Sequence, residues 1–140
     1  MAHMEKKTIY VSEFDFDRLY GLVEGADPSL QDKAHLLQLK EELEQGEVIP
    51  TEEIPDDVVT MNSRFRLEDL DSGKQFDYTL VFPHQADFSK NRISIMAQIG
   101  VALIGCKVGD TVSWKSKAGE RRFKIISILY QPEASGDFHL

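Results

Sequence analysis

Acidic side chains dominate the chemically active groups of this 140-residue chain, with 24 Asp and Glu against 16 Lys and Arg. Glu24, Asp27 and Asp32 are expected at the far end of an N-terminal helical arm, where their carboxylates could enter the site of another protein. Asp27 precedes Pro28, however, and an Asp-Pro pair is also typical of a helix start. We therefore favour capping for Asp27 and keep all three as candidate acids.

Other catalytic chemistry finds little support in the sequence. Cys106 is the single cysteine, which excludes an internal disulfide and a multi-cysteine zinc site, and its position after Gly105 favours a small buried residue. Serine elbows, phosphate-binding glycine loops and zinc-protease motifs do not occur. His35, His84 and His139 are scattered without the spacing of metal ligands. We expect no catalytic residue, no metal site and no cofactor.

Charge is distributed unevenly along the chain. Residues 12–57 contain 14 acidic and three basic residues, whereas residues 58–140 contain nine acidic and 11 basic residues. Nucleic-acid binding needs Lys and Arg to displace counterions, so we expect no sequence-specific DNA binding. An acidic segment instead suits a basic protein surface or a metal-containing channel, although a solvated helical face has the same composition.

The acidic segment is predicted to form a short antiparallel helical hairpin, or coiled-coil arm, over residues 8–47. Ser12 has the position of an N-cap, and one apolar stripe follows, made of Phe16, Leu19, Tyr20 and Val23. A second helix begins at Asp27, ends before Gly46 and carries leucines and Ala34 at helical spacing, namely Leu30, Leu36, Leu37, Leu39 and Leu43. At about 1.5 Å per residue, its roughly 17 residues give a rod of about 25 Å.

A linker with Pro50 and Pro55 is expected over residues 48–57, before a second domain over residues 58–140. Alternating and β-branched residues predict antiparallel strands at 58–67, 76–82, 93–96, 112–115 and 123–130, with one short helix at 99–104. The fold class is therefore α+β. No apolar run is long enough to cross a membrane and no signal sequence is evident, so we expect a cytoplasmic protein.

Two consecutive stretches, ADFSKNRISI at 86–95 and IGVALIGCKVGD at 99–110, resemble the C-terminal domain of the Gre transcript-cleavage factors, and the resemblance extends over about residues 58–130. It implies an FKBP-like body that binds the rim of the secondary channel of bacterial RNA polymerase through the largest polymerase subunit. The loop that contacts the polymerase in the family corresponds here to Ser94, Met96, Ala97, Gln98, Ile99 and Gly100. Gln98 stands where the family often has proline.

The short arm, the segment IPDDVVTMNS at 54–63 and the tail YQPEASGD at 130–137 resemble the Rnk subgroup of this family. Gre arms are roughly twice as long, and their tip acids help to hold a metal ion at the polymerase active site. An arm of about 25 Å is too short for that task. We therefore expect a non-enzymatic regulator that occupies the channel entrance and competes with Gre factors without stimulating transcript cleavage.

Three alternatives remain open. The first is a cleavage-stimulating factor that uses the candidate acids Glu24, Asp27 or Asp32. The second is a prolyl isomerase, because an FKBP-like fold with several aromatic residues could bind proline, although alternation places most of these aromatics in the core: Tyr78, Phe82, Phe88, Trp114 and Phe123. The third, control of nucleoside diphosphate kinase, is suggested by the subgroup's name alone.

Overall fold

The computed structural model describes residues 9–25, 34–116, 119–138 and 140. These residues form the α+β architecture that the sequence predicts. The helices are α1 (Glu13–Glu24), α2 (Ala34–Gln45) and α3 (Gln98–Leu103). The strands are β1 (Tyr10–Ser12), β2 (Glu47–Ile49), β3 (Arg64–Asp69), β4 (Gln75–Val81), β5 (Arg92–Ser94), β6 (Thr111–Ser116) and β7 (Gly119–Tyr130), and single 3-10 turns lie at Thr51–Glu53, Pro83–Gln85 and Phe88–Lys90.

Helix α1 begins where the sequence predicts it. The Ser12 hydroxyl accepts a hydrogen bond from the Asp15 amide at 3.1 Å, which satisfies one of the free donors of the first turn. Leu19 and Val23 are buried on the inner face of the helix. At its end, the Gly25 amide donates to the Gly21 carbonyl.

Helix α2 runs antiparallel to α1. The Tyr20 hydroxyl donates to Glu44 at 3.1 Å, and Lys40 pairs with Glu24, so the end of α1 lies beside an earlier part of α2. The inner face of α2 buries the stripe Leu36, Leu39 and Leu43, whereas Leu37 is 51% exposed. Assigning Leu37 to an apolar stripe was therefore wrong. The predicted start of this helix at Asp27 lies outside the described residues.

Both ends of the helical hairpin join one small parallel sheet. In it, β1 pairs with β2, with Tyr10 opposite Glu47 and Ser12 opposite Ile49. The Glu47 amide also donates to the Ile9 carbonyl. Residues 48 and 49 thus belong to a strand, so the irregular part of the connector is shorter than the sequence suggests. The division of the chain into an arm, a linker and a body stays a prediction.

The body contains a five-stranded sheet in the order β5-β4-β3-β7-β6. Pairings β4–β3, β3–β7 and β7–β6 are antiparallel, but β4 and β5 are parallel. The expectation of a purely antiparallel sheet was therefore wrong at this edge, because the chain crosses over through the turns at 83–90 before it returns. The FKBP-like classification stays a prediction.

The strand predicted from residue 58 begins only at Arg64. Thr60 and Ser63 close a tight turn through backbone and hydroxyl hydrogen bonds, and Asn62 within it has a φ of 66°. A left-handed residue interrupts the extended geometry that a strand requires. The β-branched composition of this segment therefore reflects burial of Val58, Val59 and Thr60 more than strand pairing.

One apolar core connects the helical hairpin to the sheet. Its buried members include Val11, Leu19 and Leu43 from the N-terminal elements and Phe65 and Ile125 from the sheet. Among the described residues, no helix has both the length and the apolar character needed to cross a bilayer. The shared core holds the hairpin against the body and leaves the loop after β5 at the surface.

Candidate functional site

The loop over residues 94–100 is held by two local hydrogen bonds. The Ser94 hydroxyl accepts from the Met96 amide at 3.0 Å, and the Ser94 carbonyl accepts from the Ala97 amide at 3.0 Å. The amide of Ile95, the residue after Ser94, donates to the Val81 carbonyl at 2.9 Å and so ties the loop to β4. The loop is therefore a fixed turn between β5 and α3.

Gly100 allows α3 to pack directly on this turn. A Cβ at this position would lie 2.4 Å from the Ser94 carbonyl oxygen and 3.0 Å from the Ile95 Cα. Both are backbone atoms, which cannot move aside without disturbing β5. The Gly100 carbonyl also accepts from the amide of Ile104, the residue that caps the C-terminus of α3.

The candidate contact residues of this loop differ in exposure. Gln98 is exposed, Gly100 is buried, and the other four are half-buried, namely Ser94, Met96, Ala97 and Ile99. Met96 and Ile99 pack partly against the core. The loop thus offers one exposed polar side chain flanked by partly accessible apolar groups. Gly100 contributes no side chain, and its role is to let α3 approach the turn closely.

Of the candidate acids, the described structure contains Glu24. It is the last residue of α1, and its carboxylate lies 3.1 Å from the Lys40 ammonium group, with about half of the Glu24 side chain exposed. The hydrogen bond that Lys40 donates to Glu24 raises the pKa of Lys40. Asp27 and Asp32 lie outside the described residues.

The sequence analysis did not single out Asp15, which lies in the first turn of α1. The Asp15 side chain is 1% exposed; one carboxylate oxygen accepts from the Met61 amide at 2.9 Å, and the other accepts from Arg18 at 2.6 Å. Burial raises the pKa of Asp15, although both hydrogen bonds oppose that effect. Asp15 therefore joins α1 directly to the body.

The Arg18 side chain completes this junction. Its guanidinium carbon lies 3.9 Å from the centre of the Phe14 ring and 4.8 Å from that of Phe82, which belongs to the body. A spacing of three residues between Asp15 and Arg18 is the one signal in the sequence that could have suggested an ion pair on one helix face. The partner amide of Met61, 46 residues away, has no such signal.

The C-terminal segment also contributes to the junction. Gln131 is buried and donates to the carbonyls of Pro55 and Val58, both at 2.8 Å. The Thr60 hydroxyl donates to Glu133 at 2.8 Å, and burial raises the pKa of Glu133. The C-terminal segment therefore holds the end of the connector and the turn that follows it.

Residue types that could ligate a metal ion are dispersed in the part of the chain that the structure describes. That part contains no group of three or more His, Cys, Asp or Glu that could hold a metal ion. Cys106 is buried, as the sequence predicts, and its thiol donates to the Ala102 carbonyl at 3.3 Å.

The aromatic residues that could line a proline pocket differ in their exposure. Phe123 is buried, Tyr78 and Phe82 are half-buried, and Phe88 is 80% exposed on its 3-10 turn. Phe88 is therefore not one of the core aromatics. The side chain of Trp114 lies outside the described structure.

Comparisons with known proteins agree with this architecture. Residues 54–130 match the family model of the C-terminal domain of transcription elongation factors GreA and GreB, and residues 7–49 match that of the Rnk N-terminus. A solved structure, a prokaryotic transcription elongation factor GreA/GreB from Nitrosomonas europaea, superposes with a TM-score of 0.76 at 37% identity, covering 89% of this chain and 100% of the other. The chain belongs to the GreA/GreB family of transcription-associated factors.

Full-length similarity identifies the branch of the family. The chain is 36% identical over 138 residues to the protein named regulator of nucleoside diphosphate kinase from Escherichia coli K12, which covers 98% of this chain and 100% of that relative. GreA from Syntrophus aciditrophicus is 34% identical over 97 residues, and the match covers 69% of this chain but only 60% of GreA. Together with the Rnk N-terminus, the full-length match places the chain in the Rnk branch.

Proposed function

We propose that this protein is a non-enzymatic regulator that binds bacterial RNA polymerase at the rim of the secondary channel. The loop over residues 94–100 contacts the largest polymerase subunit, and the acidic hairpin occupies the channel entrance. The protein thereby competes with Gre-type factors without stimulating transcript cleavage. Its membership of the GreA/GreB family supports the choice of partner.

The observation that carries the proposal is the short reach of the hairpin. Helix α1 has 12 residues, which corresponds to about 18 Å at 1.5 Å per residue. Only eight residues separate Gly25 from Ala34, where α2 is already returning towards the body. A carboxylate must come within about 2 Å of a catalytic metal ion to coordinate it, so a hairpin of this length favours obstruction of a channel over delivery of an acid to its far end.

The state of Glu24 supports the same conclusion. Its carboxylate already lies 3.1 Å from the Lys40 ammonium group. A metal ion would have to compete with this neighbouring positive charge, which repels cations and occupies a carboxylate oxygen. Glu24 is therefore a poor metal-positioning acid.

The construction of the loop supports its role as a docking element. Two hydrogen bonds that Ser94 accepts and the close packing at Gly100 fix its backbone. A preformed loop loses little conformational entropy when a partner binds, so a small contact surface can still contribute useful affinity.

A binding experiment with purified core polymerase tests the proposal. Wild-type protein should bind and should be displaced by an excess of a Gre factor. Gln98→Glu places a charge on the exposed loop and should abolish binding, whereas Gln75→Glu makes the same change at the exposed start of β4 and should not. Absence of wild-type binding at micromolar concentration would contradict the proposal.

A cleavage assay distinguishes the two modes of action. Backtracked elongation complexes incubated with the protein should cleave their transcripts no faster than without it, and saturating protein should reduce stimulation by a Gre factor. Acceleration of cleavage by this protein alone, lost on Glu24→Gln, would instead identify a cleavage-stimulating factor.

A further inference from the structure

The outer face of the body sheet concentrates positive charge on a chain whose net charge is −8. Leu67 and Leu80 point from β3 and β4 into the core, so their sequence neighbours Arg66 and Thr79 point outward. At this face a depression of about 640 Å³ opens between β3, β4 and β5. Its lining consists of Arg64, Arg66, Gln75, Phe76, Asp77, Thr79, Lys90, Asn91 and Arg92.

Strand register places two arginines on either side of a hydroxyl. Arg64 pairs with Thr79 across β3 and β4, and Thr79 pairs with Arg92 across β4 and β5. Directly paired residues share a face of the sheet, and strands lie about 4.8 Å apart, so the Cα atoms of Arg64 and Arg92 are about 10 Å apart. Two guanidinium groups can reach inward from that separation to one ligand above Thr79.

On the same face, the neighbouring cross-strand pair of Arg66 and Asp77 holds a further arginine in position. Arg66 donates two hydrogen bonds to the Asp77 carboxylate, at 2.8 and 3.2 Å, and Arg64 lies 3.9 Å from the same carboxylate. The Arg66 hydrogen bond lowers the pKa of Asp77, which keeps this acid charged. Asp77 thus restrains two guanidinium groups while it balances only one positive charge.

A surplus of positive charge remains in the depression. Arg64, Arg66, Lys90 and Arg92 line it, whereas Asp77 is the one acid in its lining among the described residues. Asp87, at the margin, interacts electrostatically with Lys90 and Arg92 and accepts hydrogen bonds from Ser89. Counting both acids, the cluster carries a net charge of about +2.

We propose that this depression binds a diphosphate group, either as free pyrophosphate or as part of a nucleotide. Planar guanidinium groups bind phosphate oxygens through paired, charge-assisted hydrogen bonds, and the Thr79 hydroxyl supplies a neutral donor between them. The volume lies within the range of small-molecule sites. A long polyanion fits less well, because the acidic remainder of the chain repels it.

Calorimetric titration of the full chain with sodium pyrophosphate tests the site. Arg92→Gln and Arg64→Gln should each weaken binding by about tenfold or more, because each removes a charge-assisted contact. Arg92→Lys retains the charge without the planar group and should give an intermediate affinity. Arg122→Gln is the matched control, since Arg122 is an exposed arginine of β7 that pairs with Asp71 outside the depression.

Parallel titration with adenosine diphosphate identifies the source of the group. If adenosine diphosphate binds more tightly than pyrophosphate, the ligand of the site is a nucleotide. If it binds equally or more weakly, the ligand is the free diphosphate. The proposal is overturned if neither compound binds at about 1 mM, or if Arg122→Gln weakens binding as much as Arg92→Gln. Polymerase binding by Arg92→Gln, measured separately, shows whether the docking function is independent of this site.

Discussion

Replacing Gly100 by alanine is the sharpest test of how the candidate docking loop is built. The new methyl group would lie 2.4 Å from the Ser94 carbonyl oxygen, 3.0 Å from the Ile95 Cα and 3.2 Å from a Leu80 methyl carbon. Leu80 can adjust slightly, but the other two atoms belong to the backbone of the loop itself. Helix α3 must therefore move away from the turn, or the turn must open.

The expected loss of stability follows from two opposing effects. Overpacking of this kind costs about 1–3 kcal/mol, whereas exchanging glycine for alanine in a helix contributes up to about 1 kcal/mol. Gly100→Ala should therefore destabilise the protein by about 1–2 kcal/mol, which for a chain of this size lowers the melting temperature by about 3–8 °C.

Gly21→Ala is the matched control, since Gly21 also lies in a helix and a Cβ there would meet nothing within 4 Å. This change should stabilise the protein by about 0.5–1 kcal/mol. Urea denaturation and thermal melting of both variants measure the difference. Equal stabilisation by the two substitutions would refute the close approach of α3 to Ser94, and with it the fixed loop.

Three further substitutions and one control test the junction and the pH response of the hairpin. Asp15→Ala leaves the buried Met61 amide without its acceptor, and the free energy of unfolding should fall by about 2–4 kcal/mol in urea denaturation. Gln131→Ala removes two hydrogen bonds to connector carbonyls and should cost about 1–3 kcal/mol by the same measurement. Burial raises the pKa of Glu42 from 4.5 to about 7. Between these two pH values the folded protein holds a proton that the unfolded chain has released. The free energy of unfolding should therefore fall as pH rises from about 4.5 to 7. Glu42→Gln should flatten that part of the stability curve, and the exposed Glu52→Gln should leave it unchanged.

The outcomes that contradict these predictions are equally specific. An Asp15→Ala variant as stable as wild type would mean that the hairpin does not depend on the Met61 contact. Retention of full stability in Gln131→Ala would mean that the connector is held without the C-terminal segment. A wild-type stability that rises between pH 5 and 7 would reverse the sign expected from a buried carboxyl group.

Local features were accessible from the sequence because their causes are local. The Ser12 cap depends on a hydroxyl three residues from its donor, and burial of Cys106 follows from its place behind a helix. The candidate loop was located through the resemblance of its sequence to the Gre C-terminal domain. Its rigidity was not, since that depends on the approach of Gly100 to Ser94 in three dimensions.

Long-range features could not be derived because nothing near them in sequence encodes them. The parallel pairing of β5 with β4 depends on the path of the crossover, and periodicity is the same for parallel and antiparallel neighbours. The partner of Asp15 lies 46 residues away. Likewise, Arg64, Thr79 and Arg92 become neighbours only through strand register, so their sequence spacing gives no indication of a shared site.

The paired strands β1 and β2 have a further consequence for recognition. Because both ends of the hairpin begin at this small sheet, and Asp15 anchors α1 to the body, the distance between the hairpin and the loop at 94–100 is set before any encounter. A protein with two contact points at a fixed separation can use both at once only on a partner whose two binding surfaces have the same separation. The spacing between the hairpin and the loop would thus restrict which partners the molecule can bind, in addition to the chemistry of the two contact surfaces.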